Sequence, residues 1–392
     1  MMNKNIKKLL QFVAGTAALL VLPMAAHAAQ AIKTPAKHAI MVEGSTGAVL
    51  FEQDADVTMP PSSMSKLMTI YMAFEKLKDG NITLDDQFEV STPTWRRWRL
   101  QGSTMFLKDG QKVSVEELLM GIIVQSGNDA CAVLAEGIAG SEEVFVEWMN
   151  EKAAELGMSN SNFTNVNGWP DPEHYMSARD LAILSQKLVT EFPEYYPMFK
   201  EKEFTYNDIK QSNRNPILYS MPSADGLKTG HTEAGGYGLA ASAIKDGRRL
   251  VLVLNGLNSN RARARESERL LNYGFRNFSV YPLLDAGQTV DHANVWLGNK
   301  DKVSLMIEKD VILSLSRQDR RKMKAKVIYE GPIAAPIVKG QAIATLEISS
   351  QSMKTLRLPL LAGEDVGKLG GLKRLKAAFN YLLVGSSGSE NE

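Results

Sequence analysis

The sequence predicts an α+β protein whose central sheet starts near the N-terminus and is completed only after a helical insertion. Two apolar runs at residues 39–42 and 48–51 flank a Gly-containing turn, which is typical of a hairpin. Three further strand patterns occur between residues 227 and 254, and helical spacing dominates the chain between these two regions. With 392 residues, the chain is also long enough for a second domain.

Residues 1–28 have the features of a secretory signal peptide. Three lysines precede an apolar run at residues 9–22, and Ala26-His27-Ala28 matches a small-x-small cleavage site. A retained transmembrane anchor is the alternative, but the run is short for a span and ends in a cleavage signal. Removal of the segment would change the formal net charge from +1 to about −2. A chain so close to neutral is not expected to bind nucleic acid.

The catalytic domain predicted over residues 29–280 contains the hairpin, the helices and the three later strands. Ser177 has the position of a helix cap, and Asp180 occupies the capping-box position, for which a structural role is favoured. Cys131 is the only cysteine, and its apolar helix predicts a buried, inert thiol without a cationic neighbour. The predicted helices are 67–74, 115–123, 130–139, 142–156, 177–189 and 267–275, and the later strands are 227–229, 239–244 and 250–254.

A polar segment at residues 92–106 contains the run Trp95-Arg96-Arg97-Trp98-Arg99. Aromatic and basic residues interleaved in this way are compatible with a nucleic-acid or anionic surface. No wider basic field supports that interpretation, and the segment lies between motifs described below. A surface loop covering the mouth of a site is therefore favoured.

Composition changes near residue 281, and short β patterns separated by Gly and Pro continue to residue 362. They predict a small all-β, sandwich-like domain over residues 281–362. Residues 363–392 are predicted to form an amphipathic helix, centred on 368–384, followed by a polar tail. Apolar residues share one face of this helix and basic residues flank it, which favours an in-plane membrane contact. Packing against the β domain or against a second subunit is the alternative.

The first motif with chemical content is Ser63-Met64-Ser65-Lys66, directly after Pro60-Pro61. Residues three apart at the start of a helix share a face, so the Ser63 hydroxyl and the Lys66 amine are expected to meet. Such a lysine can take the serine proton if burial or a nearby cation lowers its pKa. Taken alone, Ser-x-x-Lys is a weak signal.

Two further motifs strengthen it. Ser126-Gly127-Asn128 is predicted in a tight turn between two apolar helices, and Lys228-Thr229-Gly230 on a strand. Ser-x-x-Lys, Ser-x-Asn and Lys-Thr-Gly in this order form the signature of penicillin-binding proteins and serine β-lactamases.

With their flanking residues, these motifs resemble those of the low-molecular-mass penicillin-binding proteins. More narrowly, the chain resembles the D-alanyl-D-alanine carboxypeptidases of the Gram-negative periplasm over residues 39–361. The resemblance implies a transpeptidase/β-lactamase-like sheet with a helical subdomain. It also implies a periplasmic enzyme, peripheral on the outer face of the inner membrane, that removes the terminal D-alanine from peptidoglycan pentapeptides, is acylated by penicillins and serves cell-wall biogenesis and cell shape.

The resemblance implies a role for each site residue. Ser63 would be the nucleophile, Lys66 its base and Ser126 a proton relay to the leaving D-alanine. Asn128 would hold the acyl amide, and the backbone N–H groups of Ser63 and His231 would form the oxyanion hole. The substrate carboxylate would be bound by Lys228, Thr229 and Arg263, although Arg261 and Arg265 leave the register of the arginine open. No cofactor and no metal are expected, and the oligomeric state is left open.

Three other functions are weighed against this one. A Ser-His-Asp hydrolase is disfavoured because no Gly-x-Ser-x-Gly elbow flanks a serine. A β-lactamase would share the same motifs, but it needs a carboxylate to activate the deacylating water and no convincing Glu-x-x-x-Asn is present. A catalytically idle peptidoglycan-binding protein would not need every catalytic position intact.

Overall fold

The computed structural model describes residues 32–351 and 353–371. The signal segment predicted over residues 1–28 lies outside these residues. Residues 372–392, which include most of the predicted C-terminal amphipathic helix, also lie outside them. In the described part of the chain, no helix is long and apolar enough to cross a lipid bilayer.

A five-stranded antiparallel sheet forms the centre of the N-terminal region. The nine strands of this region are β1 His38–Glu43, β2 Val49–Gln53, β3 Gln87–Glu89, β4 Lys112–Ser114, β5 Glu203–Tyr206, β6 Ile209–Ser212, β7 Ala224–Thr232, β8 Gly236–Lys245 and β9 Arg248–Leu257. The sheet has the order β2-β1-β9-β8-β7, so β1 joins the late strands through β9. The predicted hairpin and late strands are therefore confirmed, and β7 lies at one edge. The short polar hairpins β3–β4 and β5–β6 were not predicted.

Helices cover both faces of this sheet. Ile40 and Val42 on β1 belong to the large core cluster that includes α1 and α6, whereas Met41 between them contacts Gly274 of α8 on the other face. The helix α1 runs through the core, with an unbroken buried run over residues 66–74. The α-helices of the region are α1 Lys66–Lys78, α2 Thr92–Trp98, α3 Val115–Met120, α4 Asn128–Ala139, α5 Glu142–Glu155, α6 Ala178–Glu191, α7 Ile217–Ser220 and α8 Asn260–Asn277.

Two predicted boundaries need correction. The segment predicted as a loop over residues 92–106 begins with the helix α2, which Ser91 caps by accepting a hydrogen bond from the backbone of Thr94. Trp98 at its end is only 1% exposed, because the helix turns this ring into the interior. Helix α8 begins at Asn260 rather than at residue 267, after its Ser259 cap.

The C-terminal region is β-rich, as predicted. Its elements are β10 Phe278–Leu284, β11 Thr289–Trp296, β12 Lys302–Ile307, β13 Val311–Ser316, α9 Arg317–Lys322, β14 Lys324–Ile328, β15 Ile333–Ala334, β16 Ala342–Ser349 and β17 Leu356–Ala362. A six-stranded sheet of order β14-β16-β17-β12-β11-β15 and the pair β10–β13 enclose one apolar cluster. The backbones of Val366 and Leu369 bond to this region, and Val366 is buried within it. These contacts extend beyond the boundary at residue 362 that the sequence predicts.

Candidate active site

Ser63 lies on a short 3₁₀ turn, Ser62–Ser65, between Pro61 and α1. No serine side chain caps α1. The turn begins at Ser62, whose φ of 52° is left-handed and whose hydroxyl bonds the Thr232 hydroxyl at 2.8 Å. Ser62 is buried and Ser63 is only partly buried. This tight turn therefore holds the Ser63 hydroxyl at the open edge of the site.

Lys66, the first residue of α1, points its amine at Ser63. Its Nζ donates to Ser63 Oγ at 3.0 Å, to Asn128 Oδ1 at 2.8 Å and to the backbone carbonyl of Asn167. Burial, with a smaller contribution from the charge of Arg214, lowers the pKa of Lys66 to about 8, while Asp129 acts in the opposite direction. A fully buried amine with this pKa can become neutral near physiological pH and accept a proton from Ser63.

Ser126 reaches the site from a distorted helix end. The chain makes a π-helical turn at Gly121–Gln125, and Ser126 then adopts a left-handed conformation with φ 68° before α4 begins at Asn128. Turns of this kind are frequent at functional sites because they re-aim a side chain. The Ser126 hydroxyl accepts a hydrogen bond from Lys228 Nζ at 2.9 Å.

Lys228 and Thr229 lie on β7, the edge strand next to the 3₁₀ turn. Gly230 permits this approach, because a Cβ there would lie 2.7 Å from the carbonyl oxygen of Pro61. Lys228 is buried, and burial lowers its pKa well below the ordinary value, as do the charges of Lys66 and Arg214. His231 is exposed, with its ring 3.9 Å from that of Tyr237. An edge strand leaves alternate backbone N–H groups unpaired by its neighbour, which is what an oxyanion hole at His231 requires.

Arg263 is the one buried member of the Arg261, Arg263 and Arg265 group. Its guanidinium donates to the carbonyls of Gly230 and Gly238, both at 3.3 Å, so it braces β7 immediately after Thr229. Burial lowers its pKa to about 10. Burial therefore distinguishes Arg263 from its two exposed neighbours, and its guanidinium also donates to Asn260 Oδ1 at 2.8 Å.

Three residues of the site were missed by sequence reasoning. Arg214 donates to Ser103 Oγ, and its charge lowers the pKa values of both buried lysines. Asp129 accepts from the backbone of Met105 at 2.9 Å and so fixes the loop between α2 and β4 against α4. Asn167 contributes only its carbonyl, for which the sequence carries no signal. Arg214 sits in an Asn-rich loop and resembles any solvated loop cation, but Asp129 was visible as an acid beside Asn128 in an apolar helix.

A buried histidine approaches the motif without reaching the nucleophile. His174 Nδ1 accepts from the backbone N–H of Thr164 at 3.1 Å, so Nε2 carries the proton and donates to Ser65 Oγ at 2.7 Å. Burial lowers the pKa of His174 to about 4, which keeps the ring neutral. Its partner is Ser65 and not Ser63, so the described residues contain no Ser-His-Asp triad around the nucleophile.

Cys131 is buried near Lys66 and Lys228, and its thiol stays protonated. Burial raises the pKa of its thiol to about 12 even though Lys66 and Lys228 act in the opposite direction. The sequence predicted a buried thiol without cationic neighbours. The thiol is buried, but the prediction that it has no cationic neighbour is wrong. Across the described residues, no group of three or more His, Cys, Asp and Glu side chains is arranged to hold a metal ion.

The arrangement as a whole can carry out acyl transfer. The partly exposed Ser63 hydroxyl accepts a hydrogen bond from the buried Lys66 amine, whose pKa is lowered. The Ser126 hydroxyl accepts a hydrogen bond from the second buried lysine, Lys228. Among the described residues, no carboxylate lies within salt-bridge distance of Lys66, Lys228, Arg214 or Arg263. A site with unbalanced positive charge next to a nucleophile is suited to a substrate that ends in a carboxylate.

Comparison with known proteins agrees with this chemistry. Residues 24–259 match the family model described as D-alanyl-D-alanine carboxypeptidase, and residues 278–368 match the C-terminal domain of penicillin-binding protein 5. The chain is 38% identical over 371 residues to D-alanyl-D-alanine carboxypeptidase DacC of Escherichia coli, covering 92% of this chain and 93% of that protein.

Solved structures show the same likeness. Penicillin-binding protein 5 from Haemophilus influenzae superposes with a TM-score of 0.75 at 36% identity, covering 86% of this chain and 99% of that one. D-alanyl-D-alanine carboxypeptidase DacD from Francisella tularensis gives a TM-score of 0.78 at 27% identity, covering 90% of this chain and 97% of that one.

Proposed function

The chain belongs to the D-alanyl-D-alanine carboxypeptidase family, and from this premise we propose that Ser63, Lys66 and Ser126 carry out its reaction. The protein is a serine-type D-Ala-D-Ala carboxypeptidase of cell-wall metabolism that binds peptidoglycan peptides and β-lactams. The observation that supports this assignment of residues is the contact of the Lys66 amine with both Ser63 and Asn128.

In the acylation step, Ser63 Oγ attacks the carbonyl carbon of the penultimate D-alanine, and its proton passes to the neutral amine of Lys66. Backbone N–H groups of Ser63 and His231 stabilise the negative charge that forms on the carbonyl oxygen. The C–N bond then breaks as Ser126 relays to the nitrogen of the terminal D-alanine the proton that Lys66 took from Ser63, which leaves the amine neutral again. Water hydrolyses the resulting ester, which restores Ser63 and releases the shortened stem peptide.

Substrate binding rests on groups around this centre. The Asn128 Oδ1 accepts a hydrogen bond from Lys66. Its Nδ2 donates to the carbonyl of Gln101 at 3.4 Å, a long contact that a substrate amide can replace. Lys228 and Thr229 attract the terminal carboxylate, with Arg263 bracing their strand from behind. Arg214 adds positive charge to the same side of the site.

Mass spectrometry of the purified protein with a muropeptide pentapeptide tests this function. The expected product is a tetrapeptide together with one free D-alanine, and a transient ester on the peptide that contains Ser63. An unchanged pentapeptide after prolonged incubation would contradict the proposal, provided that the protein is folded by circular dichroism.

Lys228 is expected to matter through its charge. Lys228→Met should lower kcat/KM for D-alanine release by about 10²-fold, because a buried cation facing the substrate carboxylate is lost. Lys228→Arg keeps a cation but replaces a point charge with a planar fork, and it should retain part of the activity. Steady-state kinetics of the two variants decides the matter: equal losses would indicate that only the shape of the side chain counts.

We also propose that the signal segment exports the chain to the periplasm and that residues 368–384 hold it on the outer face of the inner membrane. The support is the sequence pattern of an apolar face flanked by Lys368, Lys373, Arg374 and Lys376, which anionic lipid attracts. Since the β-rich region makes backbone contacts up to Leu369, the membrane segment can be removed only after that residue.

Truncation after Gly371 is therefore expected to abolish co-sedimentation with anionic vesicles and to leave D-alanine release from small peptides intact. The matched full-length control carries Lys373→Glu, Arg374→Glu and Lys376→Glu, and its vesicle binding should weaken most at low salt, where screening is least. A full-length protein that ignores anionic vesicles, or a truncation that unfolds the β-rich region, would instead identify a packing helix.

A further inference from the structure

The β-rich region carries one strongly basic surface, far from the catalytic motifs in sequence. Residues 317–326 contain six basic residues and one acid, a net charge of +5. The rest of residues 278–371 contains seven basic and nine acidic residues, a net charge of −2. All six basic side chains are exposed, and we call them the basic patch: Arg317, Arg320, Arg321, Lys322, Lys324 and Lys326. The positive charge of this region is therefore concentrated on α9 and the first half of β14.

The fold leaves the charge of the basic patch unbalanced. Asp319, the one acid of the segment, is buried, and its carboxylate accepts hydrogen bonds from Ser316 Oγ at 2.5 Å and Ser350 Oγ at 3.0 Å. Within residues 32–351 and 353–371, no carboxylate lies within salt-bridge distance of a side chain of the patch. Glu347 lies opposite Lys326 in the sheet register, but it already pairs with Arg357 at 2.9 Å.

Local stabilisation accounts for only part of the basic patch. Cations in the last turn of a helix interact favourably with its dipole, and the Arg320 guanidinium also lies 4.2 Å from the Tyr281 ring centre. Neither reason applies to Arg317, which is the first residue of α9, where the dipole disfavours a positive charge. Neither applies to Lys324 and Lys326, which lie on the edge strand β14. These cations therefore call for a counter-charge from outside the chain.

The membrane segment proposed above is at the opposite end of the β-rich region. Lys324 pairs with Ser349 at one end of the six-stranded sheet, whereas Lys368 forms a bridge with Gly298 at the other end. Followed through the register of β16, β17 and β12, the two ends are about ten residues, or about 30 Å, apart. Since charges in solvent are screened over about 8 Å at physiological ionic strength, a lipid surface at Lys368 does not supply the counter-charge.

The basic patch begins where the β-rich region meets the N-terminal region. Ser316, the cap of α9, pairs with Phe278 directly after α8, and Ser314 bonds Thr46 of the β1–β2 turn at 2.8 Å. The six-residue helix is about 9 Å long and the strand lysines follow it, so the charges are too widely spread to meet on one carboxylate. They fit a polymer that presents carboxylates repeatedly, as peptidoglycan does at the ends of its uncross-linked stem peptides.

We propose that the basic patch binds peptidoglycan through the carboxylates of its stem peptides and keeps the enzyme on the polymer while Ser63 acts on another stem. Each exposed ion pair contributes little by itself, but several pairs on one polymer raise the effective concentration of the next stem at the active site. The inference rests on the proposed function for the identity of the polymer, and the contact itself requires no catalysis.

Co-sedimentation of the full-length protein with purified peptidoglycan sacculi tests the proposal. A variant with Arg321→Gln, Lys324→Gln and Lys326→Gln should have an apparent Kd about 3- to 30-fold higher than the wild type, as fits the loss of three exposed ion pairs. The difference should disappear at high salt. The matched control removes the same charge from exposed positions of the same region and should bind as the wild type does: Lys302→Gln, Lys309→Gln and Lys339→Gln.

Unchanged melting temperatures verify that both triple variants are folded. Equal weakening in the two variants would overturn the inference, because net charge alone would then explain binding. Unchanged binding by the patch variant would also overturn it and leave an acidic protein as the partner. Loss of binding to phosphatidylglycerol vesicles in the patch variant would assign these cations to the membrane instead. A wild-type protein that binds sacculi through the patch but releases no D-alanine from a pentapeptide would refute the proposed function and support this inference.

Discussion

Ser63→Ala is expected to abolish both D-alanine release and covalent labelling by penicillin, with a loss of at least about 10⁴-fold in kcat/KM. Among the described residues, Ser63 supplies the only hydroxyl within hydrogen-bond distance of Lys66 Nζ, and the variant removes it. Since Ser63 is partly exposed and the substitution deletes one oxygen, the fold should be retained. Labelling by a fluorescent penicillin on a gel measures the covalent step directly, and the melting temperature checks the fold.

Ser65→Ala provides the comparison for Ser63→Ala on the same turn. The Ser65 hydroxyl faces His174 rather than the open site, so this variant should still form a penicillin adduct. If Ser63→Ala were labelled as well as Ser65→Ala, the nucleophile would have to be sought elsewhere.

The second large effect is expected at Lys66. Lys66→Arg keeps the positive charge but cannot release its proton near neutral pH, so general-base catalysis should be lost, at a cost of about 10²- to 10⁴-fold in the acylation rate. For the wild-type enzyme, the acylation rate should rise with pH as the amine becomes neutral and level off above about 8, where burial has placed its pKa. Stopped-flow acylation by a chromogenic β-lactam between pH 6 and 10 records this profile.

A flat wild-type profile over that range would contradict the role of Lys66 as a neutral base. The direction of the profile is also decisive, because a base is active when deprotonated and the rate must therefore fall on the acid side. Lys66→Arg should show no rise between pH 6 and 10, since its guanidinium remains protonated throughout.

The catalytic motifs could be predicted because each one is local. Ser63 and Lys66 are three residues apart, and Ser126 and Asn128 share one turn, so their side chains are brought together by short-range geometry. The central sheet was predictable for a similar reason, since β1, β8 and β9 contain buried apolar runs. The contacts that bring the separate motifs together are long-range. The hydrogen bond from Lys66 to the Asn167 carbonyl, for example, joins residues 101 positions apart in the chain.

The elements that were predicted wrongly show where the local sequence pattern does not contain enough information to assign the structure. The start of α2 at Ser91-Thr92-Pro93 carries a cap and an N-terminal proline, yet the charged run that follows suggested a loop. The first part of α8 holds arginines at alternate positions rather than an apolar face, so its helical start was hidden. Arg214 was missed because only the fold brings its loop to the buried lysines.

The buried lysines that make the site reactive also weaken the protein that carries them. A pKa lowered from 10.5 to about 8 means that the unfolded chain holds the Lys66 proton more firmly than the native state does. The corresponding loss, about 3 kcal/mol, is present in full below pH 8 and disappears only as the pH rises towards 10.5. At neutral pH, burial of the protonated Lys66 amine therefore lowers the free energy of unfolding of the free enzyme. Burial also lowers the pKa of Lys228, so a substrate or antibiotic whose carboxylate pairs with that lysine recovers on binding part of the free energy that its burial costs.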